Sequence, residues 1–405
     1  MDHEDVRERG FRRRTRVSAA RDKLAEVVAG IEETKHVPVG DADGRIVAES
    51  VTAERNVPHY DRAAMDGYAV VAEDTFGASE RSPVRLALDE RGAAGVAVPV
   101  HTGSPLPAGA DAVVMLEETE VHDGELDVFD AVATGENVGE TGEDVAIGDR
   151  LYDAGDVLGP SDRGLLTSLG HETVAVVPEP DVAVLPTGEE LVQTDPAPGE
   201  IIETNGLTVS RLVERWGGSA RYRDIVTDDE TVLRAAITEN LDADVVVTTG
   251  GSSVGQRDLL PHVIDDIGEV LVHGVALRPG HPVALGVVEE TPVLALPGYP
   301  VACLINAVQF LRPTIKWLLN TPVPDHPTIQ TTAGEKLRSE PGTRTFARVQ
   351  LEPGEDGPIA SPLRLSGAGV LSSVTRADGW VVIEEALEGI PAGETVTVER
   401  WEWSA

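Results

Sequence analysis

Three loops rich in glycine or proline follow short apolar runs in the second half of the chain. They span residues 187–190, 248–255 and 297–300. Consecutive glycines let backbone N–H groups converge on an anion, and a helix that starts at such a loop adds the positive end of its dipole. The glycine spacing fits neither a Gly-Lys-Ser/Thr phosphate loop nor the dinucleotide fingerprint. One such loop is as consistent with a structural turn as with a binding site, but three together predict a site for a phosphorylated ligand.

Acidic residues accompany these loops. Glu190 follows the first loop, Asp228 precedes a predicted helix, Asp258 follows the second loop, and Asp66 lies far upstream. Helix capping or solvent exposure accounts for such residues without any function. A functional role requires that the negatively charged carboxylates lie close to a negatively charged phosphate. A Mg²⁺ ion that bridges the two groups allows this during a displacement reaction at phosphorus. Spacing alone leaves both readings open.

The segment from 181 to about 320 alternates apolar strand-like runs with helix-like periods. Such alternation predicts an open parallel sheet with right-handed crossovers. Ligands bind at the carboxyl ends of the strands in these sheets, which is where the three loops begin. Asn205 is a predicted helix cap, as is the pair at 228–229. The predicted strands are 182–185, 244–247 and 293–296, and the predicted helices are 206–216, 230–241 and 301–319.

The remaining regions are mostly short Val-rich runs separated by Gly, Pro and Asp, which is typical of β structure. A chain of 405 residues is also too long for a single hydrophobic core, so we expect several domains. The predicted domains are a linking domain (1–55 and 150–178), a β domain (56–149), an open, mostly parallel α/β domain (179–321) and a C-terminal β-barrel-like domain (322–405).

The formal net charge is −37, and only four of the 33 basic residues are lysines. Nucleic acid and anionic membranes are excluded as partners because they require clustered basic residues. Concentrated salt screens the repulsion between so many acidic side chains, so the charge predicts a halophilic protein, with an acidic mesophilic protein as the alternative.

No signal segment or apolar run of membrane-spanning length is present, which predicts a cytoplasmic protein. The single cysteine, Cys303, excludes an internal disulfide and a thiolate zinc cage.

Motifs spread along nearly the whole chain resemble those of the molybdopterin molybdenumtransferases, the MoeA family that includes the C-terminal enzyme part of gephyrin-like proteins. Each motif is moderately specific alone, but their order is that of the family. The matching segments are Met-Asp-Gly-Tyr-Ala at 65–69, Thr-Gly-Ser-Pro at 102–105, Gly-Glu-Asp at 142–144, Thr-Gly-Glu-Glu at 187–190, the loop at 248–258, and Leu-Pro-Gly-Tyr-Pro at 296–300.

The resemblance implies an elongated homodimer with four domains per subunit, one of them an α/β domain of the molybdopterin-binding type. The active site is expected between domains of two subunits. The implied reaction joins adenylylated molybdopterin with molybdate and releases AMP, with Mg²⁺ present. The adenylyltransferase and acceptor molybdoenzymes are implied partners. The implied catalytic residues are Asp66, Thr102, Glu190, Asp228 and Asp258, the metal ligands are Glu190, Asp228 and Asp258, and the substrate-binding residues are Gly250, Gly251, Ser252, Ser253, Gly255, Arg278, His281, Pro297, Pro300 and Arg348.

The chain departs from the family pattern where an oxyanion would bind. Arg278 and His281 stand in place of two lysines, Ala368 in place of a serine, and Tyr299 in place of an asparagine. An arginine keeps the charge and offers a fork suited to an oxyanion, whereas a histidine is charged only at low pH. Ordinary drift explains these changes. A preference for tungstate over molybdate, or a paralogue with reduced activity, is the alternative.

Two other functions compete with this interpretation. The first is the adenylyltransferase that makes the adenylylated pterin, since it shares the α/β domain, although the extra β domains argue against it. The second is a scaffold that binds the pterin without chemistry. The retained acids Asp66, Glu190, Asp228 and Asp258 argue against a scaffold.

Overall fold

The structure is a computed structural model, and it describes residues 14–250, 259–355, 357–363 and 367–403. The chain divides into two compact units. One unit is continuous, from Thr34 to Val176. The other combines the N-terminal segment with everything from Val177 onward. The limits of the four domains named above stay a prediction.

The N-terminal helix α1, Val17–Ala25, buries Val17, Ala20 and Leu24. Its N-cap is Arg16, and Ser18 lies within the first turn. The helix is anchored by Arg21, whose guanidinium donates to the backbone oxygen of Gln309 at 2.8 Å and to its side-chain oxygen at 2.7 Å. The N-terminal segment is therefore fixed to the second half of the chain by side-chain contacts as well as by apolar packing.

The Thr34–Val176 unit is built from β strands, three short 3-10 helices and one α-helix, α2, Pro160–Ser168. Its main sheet has the order β7-β4-β6-β5-β9-β8, and three pairs of short strands complete it. The apolar strand residues Leu86, Ala97 and Leu126 form its core. The strands are β1 Lys35–Pro38, β2 Val51–Thr52, β3 Arg62–Ala63, β4 Gly67–Val70, β5 Val84–Leu88, β6 Val96–Val100, β7 Ala112–Met115, β8 Thr119–His122, β9 Glu125–Val128, β10 Val138–Gly139, β11 Arg150–Tyr152 and β12 Thr173–Val176.

The second unit begins with the predicted α/β sheet, whose order is β16-β13-β17-β21-β20-β18. Its first four strands are parallel, and β20 pairs antiparallel with both neighbours. All five residues of β17 are buried, as expected for a strand covered on both faces. The strands are β13 Asp181–Leu185, β14 Leu191–Val192, β15 Ile201–Ile202, β16 Ser219–Tyr222, β17 Val245–Thr249, β18 Glu269–His273, β19 Leu277–Arg278, β20 Ala284–Val288 and β21 Thr291–Leu296.

Helices cover this sheet, and two of them differ from their predictions. The segment predicted as one helix at 301–319 is two helices separated by a π-helical stretch, Ala307–Leu311. The predicted cap Asn205 is the first helical residue, and its side chain donates to the backbone oxygen of Gly298 at 2.7 Å instead. The helices are α3 Asn205–Arg215, α4 Glu230–Thr238, α5 Leu260–Ile267, α6 Pro300–Asn306 and α7 Arg312–Leu318.

The C-terminal part is a closed barrel of five strands. Its strands follow the order β24-β25-β22-β28-β26, and β24 also pairs with β26, which closes the ring. Closure leaves no edge among these five strands. A short helix, α8, Ser372–Thr375, lies between β25 and β26. The strands are β22 Thr328–Ala333, β23 Leu337–Arg338, β24 Arg344–Gly354, β25 Gly357–Pro362, β26 Gly379–Ile383, β27 Gly389–Ile390 and β28 Thr395–Glu399.

The two parts of this unit are joined by main-chain hydrogen bonding. Strand β19 pairs in parallel with the start of β24, with Leu277 opposite Arg344 and Arg278 opposite Thr345. This architecture confirms the predicted fold class, a mostly parallel α/β domain together with a small β domain and a C-terminal barrel. In the part of the chain that the structure describes, no helix is both long and apolar enough to cross a membrane.

Candidate active site

A cavity of about 1480 Å³ lies in the second unit. Its wall combines the loops after β13 and β21 with the segment around β19 and with residues of the barrel. Seven of the predicted site residues line it, and the structure therefore brings together groups up to 158 positions apart in the chain. They are Glu190, Asp228, Arg278, His281, Pro297, Pro300 and Arg348.

The acidic side of the cavity is formed by Glu190 and Asp228. Backbone pairing beyond the end of β13 positions both residues: Val226 N–H donates to Pro186 O at 2.8 Å, and Gly188 N–H donates to Val226 O at 3.1 Å. Ile201 N–H also donates to Glu190 O at 2.7 Å, which fixes the main chain at Glu190. The two carboxylates are thus carried by neighbouring stretches of backbone at the carboxyl edge of the sheet.

Asp228 is not the cap of helix α4. That role belongs to Asp229, whose carboxylate accepts hydrogen bonds from the N–H groups of Thr231 and Val232 at 2.9 and 3.0 Å. The capping explanation that sequence alone left open for Asp228 is therefore wrong. Its neighbour satisfies the helix terminus, and Asp228 lies on the cavity wall.

The middle loop approaches the first loop closely at Gly250. This residue has φ +150°, and a Cβ there would lie 2.0 Å from Thr187 O, so only glycine fits. Gly250 N–H donates to Leu296 O at 3.1 Å, which ties the ends of β17 and β21 together. The hydroxyls of Thr187, Thr248 and Thr249 are buried here and find no hydrogen-bond partner within the described residues.

Arg278 and His281 also line the cavity, and together with Arg348 they make up what is called its basic side. Arg278 forms an ion pair with Glu340. Burial lowers the pKa of His281 below its ordinary value of 6.5, and the nearby cations Arg14 and Arg278 lower this pKa further. The imidazole is therefore neutral at neutral pH and contributes hydrogen bonding there without a positive charge.

Arg348 approaches the same cavity from strand β24. Its Nη1 is buried and has no hydrogen-bond partner within the described residues. Desolvation by burial lowers the pKa of this guanidinium, which still stays protonated at neutral pH. A half-buried guanidinium that lines the cavity favours binding of an oxygen-rich anion there.

The loop after β21 completes the wall. Tyr299 lies in this loop, lines the cavity and is 67% exposed. Val301 N–H donates to Ala368 O at 3.0 Å, so the barrel segment that carries Ala368 is held against the start of α6. The family departures at Tyr299 and Ala368 are therefore both residues of the cavity wall.

Two predicted catalytic residues, Asp66 and Thr102, belong to the Thr34–Val176 unit and contact each other. Asp66 Oδ1 accepts hydrogen bonds from the backbone N–H of Thr102 at 2.7 Å and from its hydroxyl at 3.0 Å. These two bonds, with a smaller contribution from His101, hold the pKa of the Asp66 carboxyl below its usual value. Asp66 is therefore ionised across the neutral pH range.

The predicted site residues Gly251, Ser252, Ser253, Gly255 and Asp258 lie outside the described residues. Within the described ranges, no group of three or more His, Cys, Asp or Glu side chains is placed to hold a metal ion. Sequence reasoning also missed several charged or polar cavity residues, among them a basic pair. The basic pair could have been noticed because basic residues are rare in so acidic a chain. The missed residues include Glu203, Asn205, Glu335, Lys336 and Arg338.

Comparison with protein families gives three matches in chain order. The MoeA N-terminal region (domain I and II) matches residues 15–170. A model described as "probable molybdopterin binding domain" matches residues 183–317, and the MoeA C-terminal region (domain IV) matches residues 330–401. The α/β domain with the cavity thus falls in the class of molybdopterin-binding domains.

Individual relatives match over nearly their whole length. The molybdopterin molybdenumtransferase of Bacillus subtilis is 33% identical over 399 residues, covering 92% of this chain and 93% of that protein. The enzyme of the same name from Haemophilus influenzae is 32% identical over 393 residues, covering 94% and 97%. The crystal structure of a molybdopterin biosynthesis MoeA protein from Pyrococcus horikoshii superposes with a TM-score of 0.84 at 34% identity, covering 96% and 99%. The chain belongs to the molybdopterin molybdenumtransferase (MoeA) family.

Proposed function

We propose that the protein inserts molybdate into adenylylated molybdopterin and releases AMP in a Mg²⁺-dependent reaction. One observation carries the proposal: a single cavity is lined both by the carboxylates of Glu190 and Asp228 and by the guanidinium side chains of Arg278 and Arg348. Carboxylates suit a metal bound to phosphate oxygens, and an arginine suits a tetrahedral oxyanion. The family relatives named above support this choice of substrates.

The acidic side fits Mg²⁺ by the chemistry of its donors. Protein sites for Mg²⁺ commonly supply only one or two carboxylates and leave the other positions to water and substrate phosphates. Glu190 and Asp228 would hold the ion, together with Asp258. When bound, Mg²⁺ neutralises charge on the phosphoanhydride that is cleaved as AMP leaves.

Different residues of the protein would bind different parts of the two substrates. The loop that begins at Gly250 would hold the phosphates through backbone N–H groups, because this residue lets the backbone approach closely. Arg278 and Arg348 would bind the molybdate oxygens. His281, neutral at physiological pH, would donate or accept a hydrogen bond without adding charge. Asp66, kept ionised by Thr102, is proposed as a further catalytic residue.

Neighbouring aspartates provide a matched test. Asp228→Asn should lower molybdate-dependent AMP release about 100-fold or more, as expected when one electrostatic group of an active site is lost. Asp229→Asn is the control, because asparagine is an equally good N-cap and the change is chemically identical one residue away. AMP release would be measured with purified adenylylated molybdopterin, and thermal unfolding would be compared for both variants. Equal turnover of Asp228→Asn and the wild type would refute the proposal.

The oxyanion preference, assembly and location are further parts of the proposal. We propose molybdate as the substrate, with tungstate as the competing choice because Arg278, His281 and Ala368 depart from the family pattern. Parallel assays with molybdate, with tungstate and with neither oxyanion decide between the two choices.

We also propose a cytoplasmic, salt-adapted homodimer with no nucleic-acid or membrane partner. Sedimentation in dilute and molar salt would test the dimer and the salt adaptation together.

A further inference from the structure

Lys336 and Arg338 line the same cavity but belong to none of the groups discussed so far. Both side chains are exposed, and both are carried by the barrel part of the unit. Basic residues are scarce in this chain, with 33 against 70 acidic ones. Two cations so close together on a cavity wall are therefore an unusual local concentration of positive charge.

Lys336 immediately precedes strand β23, and Arg338 is the second residue of that strand. They flank Leu337, which is only 1% exposed, and side chains of alternate residues in an extended segment point to the same side. Strand β23 is held in place by β27, with Leu337 opposite Ile390 and Arg338 opposite Gly389. The buried leucine anchors the strand, so its two neighbours face away from the core together.

Neither cation has a carboxylate partner among the described residues, since the structure records no ion pair or hydrogen bond for either side chain. Glu335, which precedes Lys336 in the chain, also lines the cavity, and three further acids of the barrel part pair with arginines. Glu340 pairs with Arg278, and Glu384 and Glu385 pair with Arg344. In a protein with a large excess of acid, two cations left unpaired on a cavity wall point to an anionic ligand.

We propose that Lys336 and Arg338 form a second anion subsite of the cavity, separate from Arg278, His281 and Arg348, which binds a doubly charged, oxygen-rich group. This inference rests on the proposed function for the identity of the ligand. Two sources supply such a group: the free tetrahedral oxyanion on its way to the inner basic residues, and the diphosphate of the adenylylated pterin. Contact between ligand and cation is required in either case, because molar salt reduces the Debye length to about 3 Å and removes long-range attraction.

The test is a direct binding measurement that does not depend on turnover. Sodium tungstate and sodium pyrophosphate would be titrated separately into the full-length protein by calorimetry. The Lys336→Gln/Arg338→Gln variant should bind one of the two probes at least about 10-fold more weakly, in line with the loss of charge-assisted hydrogen bonds. Weaker tungstate binding identifies the oxyanion as the occupant, and weaker pyrophosphate binding identifies the diphosphate.

The matched control removes the same two charges elsewhere in the unit. Arg211→Gln/Arg376→Gln changes two exposed arginines that do not line the cavity, and it should bind both probes as the wild type does. The subsite is overturned if the cavity variant binds both probes normally, if the control loses as much affinity, or if the wild type binds neither probe. Failure of cofactor synthesis with intact tungstate or pyrophosphate binding would instead refute the proposed reaction and leave the subsite standing.

Discussion

The acidic and basic sides of the cavity are built in different ways. Glu190 and Asp228 are held by hydrogen bonds between short stretches that directly continue the sheet, through residues 186–188 and Val226. The basic side depends on a pairing between distant segments, since β19 meets β24 across more than 60 positions. Arg278 and Arg348 are therefore placed by the joint between the α/β domain and the barrel, whereas the acids need only the α/β domain.

This difference separates two kinds of chemistry. The carboxylates occupy the strand ends where open α/β sheets bind ligands, and they suit a metal and a phosphoanhydride. The cations Arg278 and Arg348 come from the two strands that meet at this joint, and they suit an oxyanion. Substitution of a carboxylate should therefore affect mainly the phosphoanhydride substrate and its metal. Substitution of a cation should affect mainly the oxyanion.

The largest expected effect contrasts one residue from each side. Arg348→Gln should raise the KM for molybdate about 10- to 100-fold, because hydrogen bonds to charged groups are worth about 1.5–3 kcal/mol. Glu190→Gln should instead leave that KM unchanged, lower kcat and increase the Mg²⁺ concentration needed for half-maximal rate. Steady-state assays varying molybdate and Mg²⁺ would measure both. Similar kinetic profiles for the two variants would show that the sides do not act separately.

A smaller effect is expected from pH at His281. Its pKa lies below 6.5 because of burial and then of Arg14 and Arg278, so its charge appears only as the pH falls below that value. The KM for molybdate should be flat from pH 8.5 to 7 and should fall several-fold on further acidification. His281→Gln should abolish this fall. Because the folded-state pKa is depressed, the stabilising contribution of neutral His281 is present above pH 6.5 and lost as the pH decreases.

The smallest effect concerns the pair between Arg278 and Glu340, whose side chains are 57% and 65% exposed. Exposed pairs contribute only about 0–1 kcal/mol, so Glu340→Gln should leave the unfolding free energy nearly unchanged. It should lower the KM for molybdate about two- to three-fold, because the Arg278 guanidinium is no longer shared with the Glu340 carboxylate. Glu214→Gln, which breaks the exposed pair with Arg211, is the control and should alter neither quantity. A higher KM in Glu340→Gln would mean that the glutamate positions Arg278 for binding.

The α/β sheet could be predicted from the sequence because its buried strands are continuous apolar runs. The run at 182–185 and the strand Val245–Thr249 show this directly. The antiparallel strand Ala284–Val288 was missed, since a short apolar run does not reveal the direction of its strand. The helix interruption at Ala307–Leu311 was also missed, because the apolar period continues through it.

The candidate site was predictable where it follows strands and not where it depends on long-range pairing. The loops after β13 and β21 were found from glycine, proline and acid content alone. Arg278, His281 and Arg348 came from family resemblance, since nothing local connects residue 278 with residue 348. Lys336 and Arg338 were missed because the alternation of polar and apolar residues in a short strand does not indicate which cavity its polar side chains line. The assignment of the helix cap to Asp229 required the hydrogen bonds themselves.

The pairing of β19 with β24 has a consequence for how this protein can evolve. Strand β24 is eleven residues long and contributes to the barrel, to the junction with β19 and, through Arg348, to the cavity. If the proposed function holds, substitutions in the barrel would change the binding of the oxyanion while the carboxylates at the strand ends stay the same. A one-residue insertion near Arg344 would instead invert the facing of the following side chains, which makes the start of this strand intolerant of length change.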